Sequence, residues 1–308
     1  MCSQDLYALV QTLIYIVATV IIRLASFLPI RFLAWVGRQM GRLAWHLDRR
    51  HRLVAIANIE AAFPELSTDA CINLSKENFL RLGETYTCIL KTGAMDADQI
   101  NKIVSFEGYE RIKEILDNDP KAKIILAIGH YGNFELFSWI KLVIPDAQIA
   151  TTYRALRQPK LTKLMLKLRA NSGCFYFERR TEGPELLEAM KQPHIVLGLL
   201  ADQNAGESGL WLPVFDRKTS VSPAPAIFAK RYNCRLFHSA CFRIKPGRWQ
   251  IELGKEIPVI ENGLRRSTES ITRDIISAQE NAIRRDPANW FWVHNRWKPR
   301  QKNQKAKV

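Results

Sequence analysis

The sequence predicts an α/β protein with a mixed, mostly parallel sheet flanked by helices, preceded by an N-terminal membrane-anchoring helical region. Three observations predict it. After residue 103, short apolar runs bounded by turn residues alternate with helical patterns. The first hundred residues keep a helical period, and residues 6–22 carry no charge. The composition is that of a folded chain: of 308 residues, 47% are apolar and 24% charged, with 15 Gly and 14 Pro, which excludes the disordered, collagenous and coiled-coil classes. Lys and Arg outnumber Asp and Glu by 45 to 30, so the net charge of +15 favours anionic lipid, an acidic protein or nucleic acid as partner.

The uncharged stretch Leu6 to Ile22 lies at the lower length limit for spanning a bilayer. A cleavable signal would carry a basic region before it, yet Asp5 precedes it and Arg23, Arg31, Arg38, Arg42, Arg49 and Arg50 follow. The pattern predicts an uncleaved anchor over residues 1–28 with the body of the protein on the cytoplasmic side. An apolar helix of this length also fits a core helix or one lying flat in the interface. Residues 29–100 form a helical membrane-docking region. There Phe32, Leu33, Trp35, Val36, Leu43, Ala44, Trp45 and Leu47 recur near helical spacing among arginines, as suits the headgroup layer or a core helix with a basic face. A helix follows from Arg50 to Phe63-Pro64, and Ser67-Thr68-Asp69 offers an N-cap for another running toward Leu90.

From 101 to 299 the pattern predicts one α/β domain. Strands fall at Ile103–Phe106, Lys123–Ile128, Ile149–Tyr153, Cys174–Phe177, Ile195–Leu200, Leu236–Arg243 and Trp249–Leu253. Helices fall near Tyr109–Leu116, Phe134–Val143, Pro159–Ala170, Pro184–Met190, Pro223–Tyr232 and Ser267–Arg285. Residues 300–308 are expected to be a disordered basic tail. Cys2, Cys71, Cys88, Cys174, Cys234 and Cys241 are scattered without a C-x-x-C pair, so buried reduced thiols are expected rather than a zinc site or disulfide framework.

The chemistry centres on Ile124-Ile125-Leu126-Ala127-Ile128-Gly129-His130-Tyr131-Gly132-Asn133-Phe134-Glu135. A buried strand ends at Gly129, His130 follows at its carboxyl edge, Gly132-Asn133 makes a turn and cap, and Glu135 enters the next helix. Ligands of open α/β sheets sit at this edge. On one continuous helix a five-residue spacing would set His130 and Glu135 about 140° apart, an obstacle that a strand-turn-helix corner removes. A histidine held by a carboxylate on one ring nitrogen keeps the other free to take a proton from a hydroxyl. The spacing alone equally fits a core histidine beside a carboxylate favoured by a helix dipole, which is the commoner case.

The His130-x-x-x-x-Glu135 segment resembles the signature of the late acyltransferases of lipid A biosynthesis and the wider lysophospholipid acyltransferase group. Four further segments stand in the order seen in that family: Ala55 to Pro64, Tyr153 to Pro159, Ala201-Asp202-Gln203-Asn204 with Leu212-Pro213-Val214-Phe215, and Trp290 to Lys298. The resemblance covers nearly the whole chain. It implies an inner-membrane enzyme, its catalytic domain on the cytoplasmic face, that moves a fatty acyl group from acyl carrier protein to a hydroxyl of an anionic glycolipid, a lipid A precursor. It also implies His130 as general base, Glu135 as its orienting partner, Arg154 binding a phosphate or polarising the acyl carbonyl, and Asp202 and Gln203 orienting the acceptor. Arg169 is a weaker substrate-binding match. The chain departs from the family at Glu207, where a basic residue is frequent, and at Val214-Phe215-Asp216, where Phe-Phe-Gly is frequent.

A thioester has a good leaving group, so no metal or cofactor is required. A second enzymatic reading takes the same architecture to a lysophospholipid, an aminolipid or another glycolipid, with acyl coenzyme A as a donor. A third is a membrane-tethered lipid-binding protein in which His130 and Glu135 are structural. The apolar amino terminus argues against nucleic acid as the partner. The helix Pro159–Ala170, with Lys160, Lys163 and Lys167 opposite its apolar face, suits anionic lipid, an acidic carrier protein or plain solvation.

Overall fold

The computed structural model describes residues 3–298, with side chains from Leu9 onward; the basic tail lies outside the described residues. Four helices open the chain: α1 (Ser3–Phe27), α2 (Ile30–Leu47), α3 (Arg49–Ala62) and α4 (Thr68–Thr92). Within α1, Leu9–Phe27 is long and apolar enough to cross a membrane, and 6% of that stretch is buried in the fold. It packs against α4 and α7. Ser67 caps α4, as its sequence predicts, by accepting the Ala70 N–H at 3.2 Å.

α2 turns Phe32, Trp35, Leu43 and Leu47 outward and buries Leu33, Ala34, Gly37, Gly41 and Trp45. The buried face meets α4 through glycine. A Cβ placed on Gly83 would stand 2.1 Å from the Gly37 carbonyl oxygen, and one on Gly41 would stand 2.2 Å from that of Phe79. The two backbones touch because no side chain intervenes.

After α5 (Ala97–Asn101) the strand–helix alternation begins. It runs β1 (Val104–Glu107), α6 (Glu110–Asn118), β2 (Ile124–Ile128), a 3₁₀ segment (Phe134–Leu142), β3 (Gln148–Tyr153), α7 (Pro159–Arg169), β4 (Phe175–Glu178), α8 (Gly183–Ala189) and β5 (Ile195–Leu200). It continues with β6 (Leu210–Val214), β7 (Arg217–Val221), α9 (Ala224–Tyr232), β8 (Arg235–Lys245), β9 (Arg248–Glu256), β10 (Ile260–Glu261), β11 (Leu264–Arg265) and α10 (Thr268–Arg285). The seven expected strands form a single sheet in the order β1-β9-β8-β2-β5-β3-β4, parallel throughout except for the β8–β9 hairpin.

β2 lies at the middle and all five of its residues are buried. Ile124, Leu126 and Ile128 join the core on one face, with the 3₁₀ segment, and Ile125 and Ala127 join the core on the other, with α8, α9 and α10. This alternation is the period of a strand covered on both sides. A third core joins Trp45, Phe63 and Phe79 of the amino-terminal region to Phe215, Trp290 and Trp292.

Three expectations are corrected. Phe134–Leu142 is 3₁₀ rather than α-helical. Residues 136–140 are all buried, so contacts on every side set its winding instead of one amphipathic face. Asn133 makes no side-chain cap, and its amide is buried without a partner. The β6–β7 hairpin was not expected, because Pro213 interrupts its first strand and its two-residue loop, Phe215-Asp216, takes φ of 48° and 58° without the usual Asn or Gly. Trp290 and Trp292 pack in the core. Cys71, Cys88, Cys174, Cys234 and Cys241 are buried and free.

The α2–α4 contact makes a prediction. Ala is favoured over Gly in a helix by about 1 kcal/mol, yet a methyl on Gly83 has no room, and overpacking of this kind destabilises by roughly 1–3 kcal/mol. Gly83→Ala should therefore lower the thermal unfolding midpoint in detergent, whereas helix propensity alone would raise it.

Candidate functional site

The site follows from register. β2 and β5 are parallel neighbours with Ile128 opposite Leu200, and Ala201 N–H continues the ladder to the Ile128 carbonyl at 3.0 Å. Two residues further along each strand, His130 and Asp202 face one another. Asp202 Oδ1 lies 2.8 Å from His130 Nδ1, and Asp202 Oδ2 accepts the His130 backbone N–H at 2.7 Å. Asp202 is almost fully buried, its side chain 1% exposed, while that of His130 is 20% exposed.

Burial opposes the charged form of both groups, but their mutual attraction and hydrogen bonds outweigh it. The His130 imidazole is raised above its ordinary pKa by Asp202, with a smaller contribution from Glu135. Asp202 is held below the usual carboxylate range by His130 and by the Trp290 indole. The imidazole is braced by Phe134, whose ring lies edge-on at 4.9 Å, and by Phe291 at 5.8 Å. With Nδ1 engaged, Nε2 is left without a protein partner among the described residues.

Glu135 is therefore not the residue that holds His130. It pairs with Arg169 instead, Oε2 accepting from Nε at 2.9 Å and Oε1 from Nη2 at 2.5 Å. The turn at Gly132 and the tight 3₁₀ winding send the Glu135 carboxylate toward α7, while the imidazole leans across to β5. Arg169 also stacks on Tyr176 at 4.9 Å, so the residue expected to bind substrate is paired with Glu135 in the wall of the cavity it lines. The Asp202 carboxylate, expected to orient the acceptor, is enclosed and faces His130.

Beside His130 opens a cavity of about 530 Å³, lined by Leu126, Ile128, Phe137, Ile140 and Ile149 among others. That volume is within the range of roughly 300–1,000 Å³ typical of ligand sites. His130, Glu135 and Arg169 line it, and Arg154, Gln203 and Asn204 add polar groups. Arg154 follows the end of β3 and is exposed, with no carboxylate partner among the described residues. The structure thus brings His130, Glu135, Arg154, Arg169 and Gln203 to one cavity and sets Asp202 behind the histidine.

No role was legible in the sequence for the residues that close over the back of this pair. Trp290 Nε1 donates to Asp202 Oδ2 at 3.0 Å. His294 Nε2 accepts the Asn204 N–H at 3.1 Å, and the buried Arg296 donates to Thr219 Oγ1 and the Ser220 carbonyl. Burial pushes the His294 imidazole down to about 4 and Arg296 down to about 10. Their one sequence signal was the aromatic, basic run Trp290 to Lys298.

A comparison with curated protein sequences finds no match. The family model described as bacterial lipid A biosynthesis acyltransferase matches residues 2–299. That match runs from the apolar helix through the His130 edge to the closing aromatic segment, and the chain belongs to this family of acyltransferases.

Proposed function

We propose that this protein transfers a fatty acyl group from acyl carrier protein to a hydroxyl of a lipid A precursor or related glycolipid, on the cytoplasmic face of the inner membrane, with His130 as general base. The observation that carries this reading is an imidazole held on one nitrogen by a buried carboxylate while its ring lines a cavity with an apolar interior. The apolar interior suits an acyl chain, and the polar groups suit the thioester and the acceptor.

His130 Nε2 takes the proton of the acceptor hydroxyl as the oxygen attacks the thioester carbonyl carbon. The tetrahedral intermediate collapses, the carbon–sulfur bond breaks, and the imidazolium returns its proton to the departing thiolate. Asp202 fixes the ring and stabilises the imidazolium. Arg154 supplies positive charge for the carbonyl oxygen or a phosphate, and Gln203 a polar contact for the acceptor. Glu135 and Arg169 form an ion pair in the cavity wall, with Glu135 adding its negative field to that of Asp202.

Membrane association is supported by family membership and by the exposed apolar surface of α1. The outward Phe32, Trp35, Leu43 and Leu47 of α2, interspersed with the exposed Arg31 and Arg42, extend that surface as an interfacial helix would. The carrier protein is favoured as donor by α7, whose Lys163 and Lys167 are exposed while Met165 and Arg169 line the cavity.

Two outcomes test the chemistry on purified full-length protein in detergent. His130→Ala should keep its circular dichroism spectrum and lose transfer by about 10²- to 10⁴-fold, read as acylated glycolipid by mass spectrometry with acyl carrier protein and acyl coenzyme A donors in parallel. Undiminished transfer by the folded variant would sink the reading.

The second is pH dependence. A base works only when deprotonated, and the His130 pKa is raised, so kcat/KM should climb with pH through a midpoint above about 6.5. Asp202→Asn removes the attraction and leaves the desolvation, so its midpoint should move to lower pH.

A further inference from the structure

We infer that the indole N–H of Trp290 is a positioning group for acyl transfer: it locks the Asp202 carboxylate that in turn orients His130. This rests on the base role of His130 proposed above. A carboxylate can rotate about its own axis, and only one rotational setting aims Oδ1 at Nδ1. Asp202 Oδ2 is pinned by two donors, the His130 backbone N–H at 2.7 Å and the Trp290 indole N–H at 3.0 Å. Among the described residues no further donor reaches this carboxylate. Removing the indole proton leaves Oδ2 on a single bond, so that His130 alone holds the carboxylate and its swing widens.

Trp290 is itself held from three sides. It bridges Tyr131 in an antiparallel pair, and the Gly132 N–H donates to the Asn289 carbonyl at 3.0 Å, so the loop carrying His130 and the segment carrying Trp290 move together. From α4, the Asn78 amide donates to the Trp290 and Ala288 carbonyls. The Trp290 ring is 4% exposed and meets Trp292 edge-on at 4.7 Å. Packing alone would be satisfied by any flat apolar ring of this size; an N–H directed at a buried carboxylate is a separate feature.

The other ionisable groups about the pair are Glu135 from the 3₁₀ segment, which acts on His130, and His294 from the closing segment, on which His130 acts. Asp202 in turn acts through space on His238 of β8 and on Arg296. None of them replaces the indole hydrogen bond.

The test compares Trp290→Phe with full-length protein carrying 3-benzothienylalanine at position 290, in which sulfur replaces the N–H and the shape of the ring is kept. The isostere keeps the test open should the phenylalanine variant fail to fold. In the isosteric variant, kcat should fall by about tenfold, as for loss of one hydrogen bond to a charged group, with KM for donor and acceptor within twofold. With one donor gone, more of the Asp202 charge is left to the imidazolium, so the acid limb of the pH profile should move to higher pH. A purely packing role leaves kcat within twofold and the limb in place, and either result overturns the inference, as does a limb that moves down. His130→Ala assayed alongside separates the two ideas: an active His130→Ala overturns the base role itself, whereas an inactive one beside unaltered Trp290 variants overturns only the role of the indole.

Discussion

A single buried anion organises the active edge of this protein. Asp202 is sealed beneath the surface, where an unpaired charge would be strongly destabilising, and each donor it needs comes from elsewhere in the chain. The backbone and ring of His130 supply two, and the Trp290 indole supplies the third. The donor set of this carboxylate is therefore complete only with the last aromatic segment folded back across the edge. Replacing the ion pair with apolar groups would cost the fold little, since buried ion pairs contribute weakly to net stability. Its persistence in the interior is explained by orientation: an imidazole fixed at one nitrogen presents the other to the cavity.

The pairing also shows where local spacing stops carrying information. The runs of β2 and β5 were legible as strands because a strand covered on both faces needs a continuous apolar run, and His130 was legible because it stands just beyond one of them. Its partner was not legible. The pattern within one segment suggests Glu135, five positions on, whereas the geometry selects Asp202, 72 positions away. That choice depends on β2 and β5 being neighbours, although β3 and β4 lie between them in the chain and no residue pattern states their order. Asp202 could be recognised as belonging to this edge from its place after β5, but not that its carboxylate points inward. The path of Glu135 toward Arg169 depends on a 3₁₀ winding that packing imposes, where the local sequence reads as an ordinary helix.

The amino-terminal helices are bound into the same arrangement. Buried asparagines on α3 and α4 reach the closing segment, with Asn58 donating to the Trp292 and His294 carbonyls and Asn78 to those of Ala288 and Trp290. The fully buried Glu84 of α4 accepts from Arg243 on β8 and from the Gly247 N–H at the β8–β9 turn. These are charged and amide contacts in the interior, where each unmet group would be costly, so the helices and the sheet cannot separate cheaply. The opening helices and the α/β region can be told apart along the sequence, yet they share one polar framework.

That framework has a consequence for how a greasy substrate meets a proton acceptor. The apolar helix α1 lies against α4, which steadies Trp290 through Asn78, and against α7, whose Met165 and Arg169 line the cavity. α7 has no fully buried residue of its own, so few contacts other than those with α1 and the Glu135–Arg169 pair fix its position. An element with so little buried surface opens at lower free energy than the buried strands beside it. The weakest wall of the cavity is therefore the one that touches the apolar helix, while the strongest, the buried Asp202 and its three donors, lies behind the histidine. On the function proposed above, an acyl chain or acceptor entering along α1 would meet the less buried side first, with the imidazole already set behind it.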